Sequence, residues 1–165
     1  MTIAQEYVRW IDQTAWYVHK GERNAKELSY ILHGSSGENG ETSDVFKKVI
    51  REVGFDDHAR FTAIMQDWGA QKVLDETCDQ MWYIAATCAY LGITIEELML
   101  YNMVKVHKRL TEGVWNYEAV KYRLGGKVEW PLKDLPYDEA LKLTQHIEFR
   151  ITAPNATTST DIDTR

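Results

Sequence analysis

The sequence predicts an all-α protein whose first 112 residues form a four-helix-bundle-like domain. Apolar residues recur at three- and four-residue spacing along four long segments, which is the periodicity of amphipathic helices. Glycines and capping patterns separate these segments. A chain of 165 residues that is 44% hydrophobic has room for one domain with a core. We expect a helical domain at 1–112, an appendage at 113–152 and a polar, disordered tail at 153–165.

The first predicted helix covers residues 3–20 and ends at Gly21. A short helix over residues 25–32 follows and ends at Gly34. The first helix has one mostly apolar stripe, made of Tyr7, Trp10, Ile11, Thr14 and Val18.

A capping box predicts where the next helix begins. Ser35 is followed three residues later by Glu38, and this pattern satisfies free amides at a helix start. We therefore expect a separate helix over 37–53, which Gly54 ends. Residues 54–70 lack a clear pattern and are expected to hold a short helical turn.

The last two helices of the domain have clear boundaries. Residues 71–91 keep helical spacing and end at Gly92, a residue suited to the left-handed position after a helix. Thr94 and Glu97 form a second capping-box pattern, which opens a helix over 95–110.

The appendage differs from the helical domain in its pattern. Residues 117–130 contain a Gly-Gly pair between β-prone flanks, which is typical of a hairpin. Pro136 precedes a predicted helix over 137–149.

Charge and hydropathy exclude several classes of protein. The net charge of −6 and the pI of about 5.4 argue against a generally basic surface for nucleic acid. No run of about 18 apolar residues predicts a membrane span. The N-terminus lacks the pattern of a signal peptide. We therefore expect a cytoplasmic protein that binds neither nucleic acid nor membranes.

Two cysteines argue against a disulfide. Cys78 and Cys88 lie ten residues apart on one predicted helix, a rise of about 15 Å. A disulfide requires Cα atoms within about 7 Å, so we expect two buried free thiols.

Two predicted helices carry acids at a spacing of three residues. Glu38, Glu41 and Asp44 lie on the first helix, and Glu76 and Asp79 lie on the second. This spacing places carboxylates on one helix face, and two such faces opposed would bind a hard cation such as Mg²⁺ or Mn²⁺. Two ordinary interpretations remain open: exposed charge on a solvated face, and Asp44 as an ion-pair partner of Lys48.

A third helix carries a polar and basic stripe. Asn102, Lys105 and Arg109 lie at i, i+3 and i+7, beside the apolar face of that helix. Cations beside a metal cluster suit a polyphosphate, because the metal takes some oxygens and the basic side chains take others. An ordinary solvated stripe is the alternative.

These segments together resemble the MazG-like all-α nucleoside triphosphate pyrophosphohydrolases, relatives of the dimeric dUTPases. The pattern of that family is E-x-x-E, a spacer and E-x-x-D, which correspond here to Glu38 with Glu41 and to Glu76 with Asp79. "GENGETSDVFKK" is similar to its G-E-x-G-E-L-x-D-x-x-K-K, and "YNMVKVHKRL" to its N-x-x-K-L-x-x-R. The resemblance covers roughly residues 25–110, with a spacer of 34 residues that is longer than expected for the family.

The resemblance implies hydrolysis of a nucleoside triphosphate to the monophosphate and pyrophosphate. Both E-x-x-E/D pairs would hold Mg²⁺ or Mn²⁺, and Glu41 or Glu38 would orient or deprotonate the attacking water. Asp44 would support the metal site from outside it. The proposed substrate-binding residues include Lys105 and Arg109, which would neutralise charge on the β- and γ-phosphates, with Lys47 and Lys48 as weaker candidates. Asn102 would bind a sugar or phosphate oxygen.

The resemblance leaves the base open, and we lean to a purine deoxynucleotide such as dGTP. Aromatic residues that could stack on a base are Trp16, Tyr17, Tyr30, Trp68 and Trp82. It also implies a homo-oligomer, a dimer or a dimer of dimers, and a phage-encoded version of the enzyme would suit this chain.

Two rival functions remain at this point. A metal phosphohydrolase of the HD type needs adjacent His-Asp ligands, and this chain has the reverse order at Asp57-His58. A non-enzymatic helical interaction or regulatory module would carry the same acids as surface charge.

Overall fold

A computed structural model describes residues 2–112 and 129–145. These residues are helical and contain no strand, which confirms the all-α class. A π-helical turn covers Met65–Gly69. The helices are α1 (Ile3–Thr14), α2 (Ala25–Val53), α3 (His58–Ile64), α4 (Ala70–Leu91), α5 (Ile95–Thr111) and α6 (Tyr137–Gln145).

The predicted break at Gly34 is wrong, because α2 is one helix of 29 residues. The expected capping box at Ser35 therefore does not form. Polar side chains in this stretch instead donate to carbonyls one turn back: Ser36 Oγ to Leu32 O at 3.0 Å and Asn39 Nδ2 to Ser35 O at 2.9 Å. Packing against α4 along most of its length outweighs the weak helix propensity of glycine.

The first helix is shorter than predicted, because α1 ends at Thr14. Val18, expected in its apolar stripe, is exposed. The connection to α2 is organised by Glu27, which is only 3% exposed. Its carboxylate accepts hydrogen bonds from Tyr17 Oη at 3.0 Å, Gly21 N at 2.9 Å and Arg23 N at 2.7 Å. The buried Glu27 carboxylate thus accepts hydrogen bonds from a phenol and two backbone amides in the connection after α1.

The predictions for α4 and α5 are confirmed within one residue. Gly92 has φ 68° in the left-handed region and ends α4. Thr94 and Glu97 form the expected capping box at the start of α5. The long helical segment 58–91 and α5 meet at an angle of 99°, so the chain turns sharply at this point.

Within the described residues, no single helix is both long and apolar enough to cross a membrane. The bent pair formed by 58–91 and 95–111 would meet that requirement by length and composition alone.

The core lies where α1 and α2 pack on α4. α2 makes its most extensive contact with α4, and α1 packs on α4 and α5. A second group, Cys88, Ile93 and Ile95, fills the corner between α4 and α5. α5 then packs against α6 and has no close backbone contact with α2. The buried cluster where α1 and α2 pack on α4 contains Ile11, Ile31, Ala85, Ala86 and Tyr90.

The two cysteines are both free, as expected, but only one is buried. Cys88 lies in the core, whereas Cys78 is exposed. The expectation of a buried thiol at Cys78 is wrong, because among residues 2–112 and 129–145 no helix covers that side of the first half of α4. Leu74 and Met81 are exposed on the same side.

Three predictions fall on residues outside the described ranges. These are the hairpin, apart from residues 129–130, the end of the last helix beyond Gln145, and the tail at 153–165.

Candidate metal centre

Three of the predicted metal ligands converge between α2 and α4. One carboxylate oxygen each from Glu38, Glu76 and Asp79 lies within 4.8 Å of the other two. Glu38 and Glu76 are half-buried, and Asp79 is exposed. The two acidic helix faces that the sequence predicted therefore meet.

Two contacts near the carboxylates hold the helices together, one on each side of Glu38 along α2. On one side, a Cβ added at Gly34 would lie well inside van der Waals contact with the Tyr83 ring, so the phenol rests on the bare backbone of α2. On the other side, Gln80 Nε2 donates to Thr42 Oγ1 at 2.6 Å. Glu38 lies one turn after Gly34, and Asp79 lies one turn before Tyr83. The two helices thus run antiparallel, with Glu38 between the two contacts on α2 and with Glu76 and Asp79 just before both contacts on α4.

The pKa of Glu38 reflects the crowding of these acids. Burial raises the pKa of the Glu38 carboxyl, and the charges of Glu41, Asp79 and Glu76 raise it further. Tyr83 shares this environment: burial raises the pKa of its phenol, and so do the charges of Glu38 and Asp79. The cluster is therefore electrostatically unfavourable when all of its carboxylates are ionised.

The arrangement fits a divalent cation. Oxygen ligands of Mg²⁺ and Ca²⁺ lie about 2.0–2.6 Å from the ion, so two oxygens on opposite sides are up to about 5 Å apart. The separations within 4.8 Å meet this limit. A set made only of carboxylates is the donor set that hard cations prefer.

Glu41 lies beside this group rather than in it. Its charge acts on Glu38, and it lines an open cleft of about 520 Å³ together with Glu76. Gly37 and Gly40 form part of the same wall, and a Cβ at either would meet nothing within 4 Å. The glycines that interrupt the acidic motif therefore lie beside open space, where a ligand has room.

Asp44 is held by lysines. It pairs with Lys47 and, at 2.8 Å, with Lys48 Nζ. These hydrogen bonds lower the pKa of the Asp44 carboxyl to about 2. Asp44 lines the cleft but is not in the group of three converging carboxylates. The ion pair with Lys48 that the sequence left open is therefore formed.

The predicted basic stripe on α5 lies elsewhere in this chain. α5 makes no close backbone contact with α2, and Asn102 lines a separate cavity of about 310 Å³ with His107 and Trp130. The structure therefore does not bring Asn102, Lys105 or Arg109 to the acidic cluster within one copy of the described residues.

The aromatic candidates separate into three groups. Trp16 is 92% exposed in the connection after α1. Tyr17 stacks on Tyr30, with ring centroids 4.8 Å apart, and contacts the edge of Trp82. Among these aromatic candidates, only Trp68 lines the cleft beside Glu41 and Glu76. It lies in the π-helical turn that directly precedes α4.

Sequence reasoning missed Lys72. It lines the cleft and lies four residues before Glu76 and four after Trp68, so the three share one helix face. This spacing was visible, but the sequence predicted that residues before 71 were irregular, which hid the longer stripe.

Comparison with known proteins finds a similarity to a phage protein. The chain is 28% identical over 102 residues to a protein named Gene 37 protein from Mycobacterium phage L5. The match covers 61% of this chain and 82% of that relative. No protein-family model and no solved structure matches the chain. The similarity relates the chain to a phage protein whose name describes no activity.

Proposed function

We propose that this chain is a metal-dependent nucleoside triphosphate pyrophosphohydrolase of the MazG-like all-α type. One observation carries the proposal: Glu38 from the first E-x-x-E motif converges with Glu76 and Asp79 from the E-x-x-D motif within 4.8 Å. Surface charge on two unrelated helix faces would not require such convergence. The cleft beside it, with room next to Gly37 and Gly40, supports a substrate at the same place.

The proposed reaction joins a water oxygen to the α-phosphorus. The bond between that phosphorus and the oxygen bridging to the β-phosphate breaks, and the bridging oxygen leaves with pyrophosphate. The products are a nucleoside monophosphate and pyrophosphate. Mg²⁺ or Mn²⁺ held by Glu38, Glu76 and Asp79, with Glu41 beside them, would supply neutralising charge and acidify a bound water.

Glu38 or Glu41 takes the proton of the attacking water in this proposal. Glu38 lies among the proposed metal ligands, so its carboxylate would be next to a metal-bound water. Glu41 is more exposed and lines the cleft itself, so it can contact a water on the substrate side. Asp44 keeps its lysine partners in place and acts from outside the metal group.

The substrate is proposed to be a deoxynucleoside or nucleoside triphosphate, with dGTP or GTP as the favoured substrate. Asn102, Lys105, Arg109 and Trp16 stay proposed substrate contacts. Because α5 lies away from α2, its stripe would have to come from a second copy. An exposed apolar stripe on α4, with Leu74, Met81 and Ile84, supports a homodimer or a dimer of dimers.

The similarity to a phage protein supports a phage-encoded chain. We propose that such an enzyme controls nucleotide pools in the cytoplasm of the host. An acidic chain suits a nucleotide-metal substrate rather than nucleic acid.

A nucleotide panel tests the proposal. The purified chain is incubated with each NTP and dNTP plus Mg²⁺ or Mn²⁺, and the products are separated. Monophosphate and pyrophosphate support the proposal. Release of inorganic triphosphate would favour the HD type, although Asp57 is engaged in capping α3 by accepting from Arg60 N at 3.0 Å. No turnover of any nucleotide would leave the regulatory module as the better interpretation.

A further inference from the structure

Two lysines line the cleft on the same side of the carboxylates. Lys48 follows Glu41 by seven residues on α2, and Lys72 precedes Glu76 by four residues on α4. Because the two helices are antiparallel, both steps lead in one direction along the groove, away from Tyr83. Lys72 lies about 6 Å along α4 from Glu76, and Lys48 lies about 10 Å along α2 from Glu41. The charge of Glu76 acts on Lys48, so both ammonium groups border the space beside the carboxylates.

The long spacer between the acidic motifs builds this part of the groove. It folds into α3 and a π-helical turn, and the turn continues directly into α4. π-helical turns inside helices are frequently found at functional sites. Here the turn adds Trp68, and the first turn of α4 adds Lys72, to the wall opposite Lys48. A helix that began at residue 71, as the sequence predicted, would keep Lys72 but leave Trp68 outside it.

The two lysines differ in their present partners. Lys48 pairs with Asp44, which raises the pKa of its ammonium, and the charge of Glu76 adds to this effect. Asp44 also pairs with Lys47, so Lys48 can turn to a ligand without leaving that carboxylate unpaired. Lys72 has no ion-pair partner within 4 Å among residues 2–112 and 129–145.

We infer that Lys48 and Lys72 form the subsite for the β- and γ-phosphates, the part of the substrate that leaves as pyrophosphate. This inference rests on the proposed function and adds Lys72 as a substrate-binding residue. Ammonium groups on opposite walls would hold a phosphate chain between them, with charge-assisted hydrogen bonds to its oxygens. The subsite makes a triphosphate a better ligand than a monophosphate.

The charge of the cleft sets a condition on binding. Three carboxylates, from Glu41, Asp44 and Glu76, line it with the two lysines. A bare polyphosphate would meet net negative charge and be repelled. Binding through the lysines therefore requires a divalent cation.

Calorimetric titration of the full chain with inorganic pyrophosphate tests the subsite without relying on turnover. With Mg²⁺ present, Lys72→Gln is expected to raise the Kd for pyrophosphate about tenfold, and binding should vanish when Mg²⁺ is removed. Lys72→Arg, which keeps the charge, should restore most of the affinity. Lys26→Gln is the matched control, since Lys26 is exposed in the first turn of α2 and outside the cleft.

A nucleoside monophosphate is the second ligand in the same experiment, and its Kd should change less than about twofold in Lys72→Gln. Unchanged pyrophosphate binding in Lys72→Gln would overturn the subsite, as would an equal loss for both ligands. If nucleotides are hydrolysed but Lys72→Gln binds pyrophosphate normally, the subsite is wrong and the activity stands. If no nucleotide is hydrolysed but pyrophosphate binds through Lys72, the subsite stands and the activity is wrong.

Discussion

The acidic stripes of α2 and α4 and the basic stripe of α5 look alike in the sequence but have different surroundings in the structure. Each has polar side chains at three- and four-residue spacing beside an apolar face. Glu38, Glu76 and Asp79 meet across a packed groove. Lys105 is exposed on a helix that contacts α6 and not α2. Helical spacing therefore defines a face, but only packing decides what that face meets.

The corner after α4 is the physical cause of this difference. Gly92 and the capping box at Thr94 end one helix and start the next within three residues. The buried Ile93 and Ile95 fix the corner against Cys88, and α5 leaves at 99°. Four kinds of variant would break or sharpen the comparison between the two regions.

The largest effect is a loss of turnover, expected when an acidic side chain of the groove is changed. Asp79→Asn removes one charge from the converging carboxylates and should lower turnover about 100-fold or more, as should Glu41→Gln. Helical content by circular dichroism should be unchanged, because Asp79 is exposed. Glu52→Gln, an exposed acid further along α2, is the control. Full activity in Asp79→Asn would contradict the metal-site assignment.

The next effect concerns the close approach that holds the groove. Gly34→Ala would place a methyl group inside the Tyr83 ring, and we expect the free energy of unfolding to fall by about 1–2 kcal/mol, since overpacking exceeds the gain in helix propensity. Gly37→Ala has open space and should gain about 0.5–1 kcal/mol. Urea denaturation measures both. Equal stabilisation by the two variants would show that Tyr83 moves aside freely.

A smaller effect is expected from relieving charge in the cluster. The pKa of Glu38 is raised in the folded chain, so its ionised form is disfavoured there and lowers stability at pH 7. Glu38→Gln should therefore raise the Tm of the metal-free protein at pH 7 by about 2 °C. Thermal scans across pH provide the measurement.

The pH dependence of this Tm difference follows from the raised pKa of Glu38. As pH falls through the raised pKa of Glu38, the wild-type chain takes up a proton and recovers the lost stability. The Tm difference between wild type and Glu38→Gln should thus shrink towards zero near the ordinary pKa of 4.5. Added Mg²⁺ should reverse the order at pH 7. A lower Tm for Glu38→Gln in the absence of metal would argue against crowded charge.

The smallest effect is expected on α5. For a chain that binds as a monomer, Lys105→Gln should change the Kd for pyrophosphate less than about twofold, because α5 of the same chain is not in contact with α2. A tenfold loss, accompanied by a dimer in light scattering, would instead show that a second copy supplies the basic stripe.

Local signals in the sequence accounted for part of the fold. The capping box of α5 and the glycine that ends α4 depend on hydrogen bonds among neighbouring residues, so they could be predicted. The break at Gly34 could not, because Tyr83, 49 residues later in the chain, occupies the space that the absent side chain leaves. The same limit applies to the connection after α1, where Tyr17, Gly21 and Arg23 donate to the buried carboxylate of Glu27.

By itself, the sequence determined that the chain is helical and that two helices carry acids at the spacing of one helix face. Both properties follow from side chains close together along the chain. Tertiary structure alone decided that α2 continues through its glycines, that Lys72 and Trp68 join the acidic groove, and that the α5 stripe turns away from it. These depend on packing between distant residues, which helical periodicity does not encode.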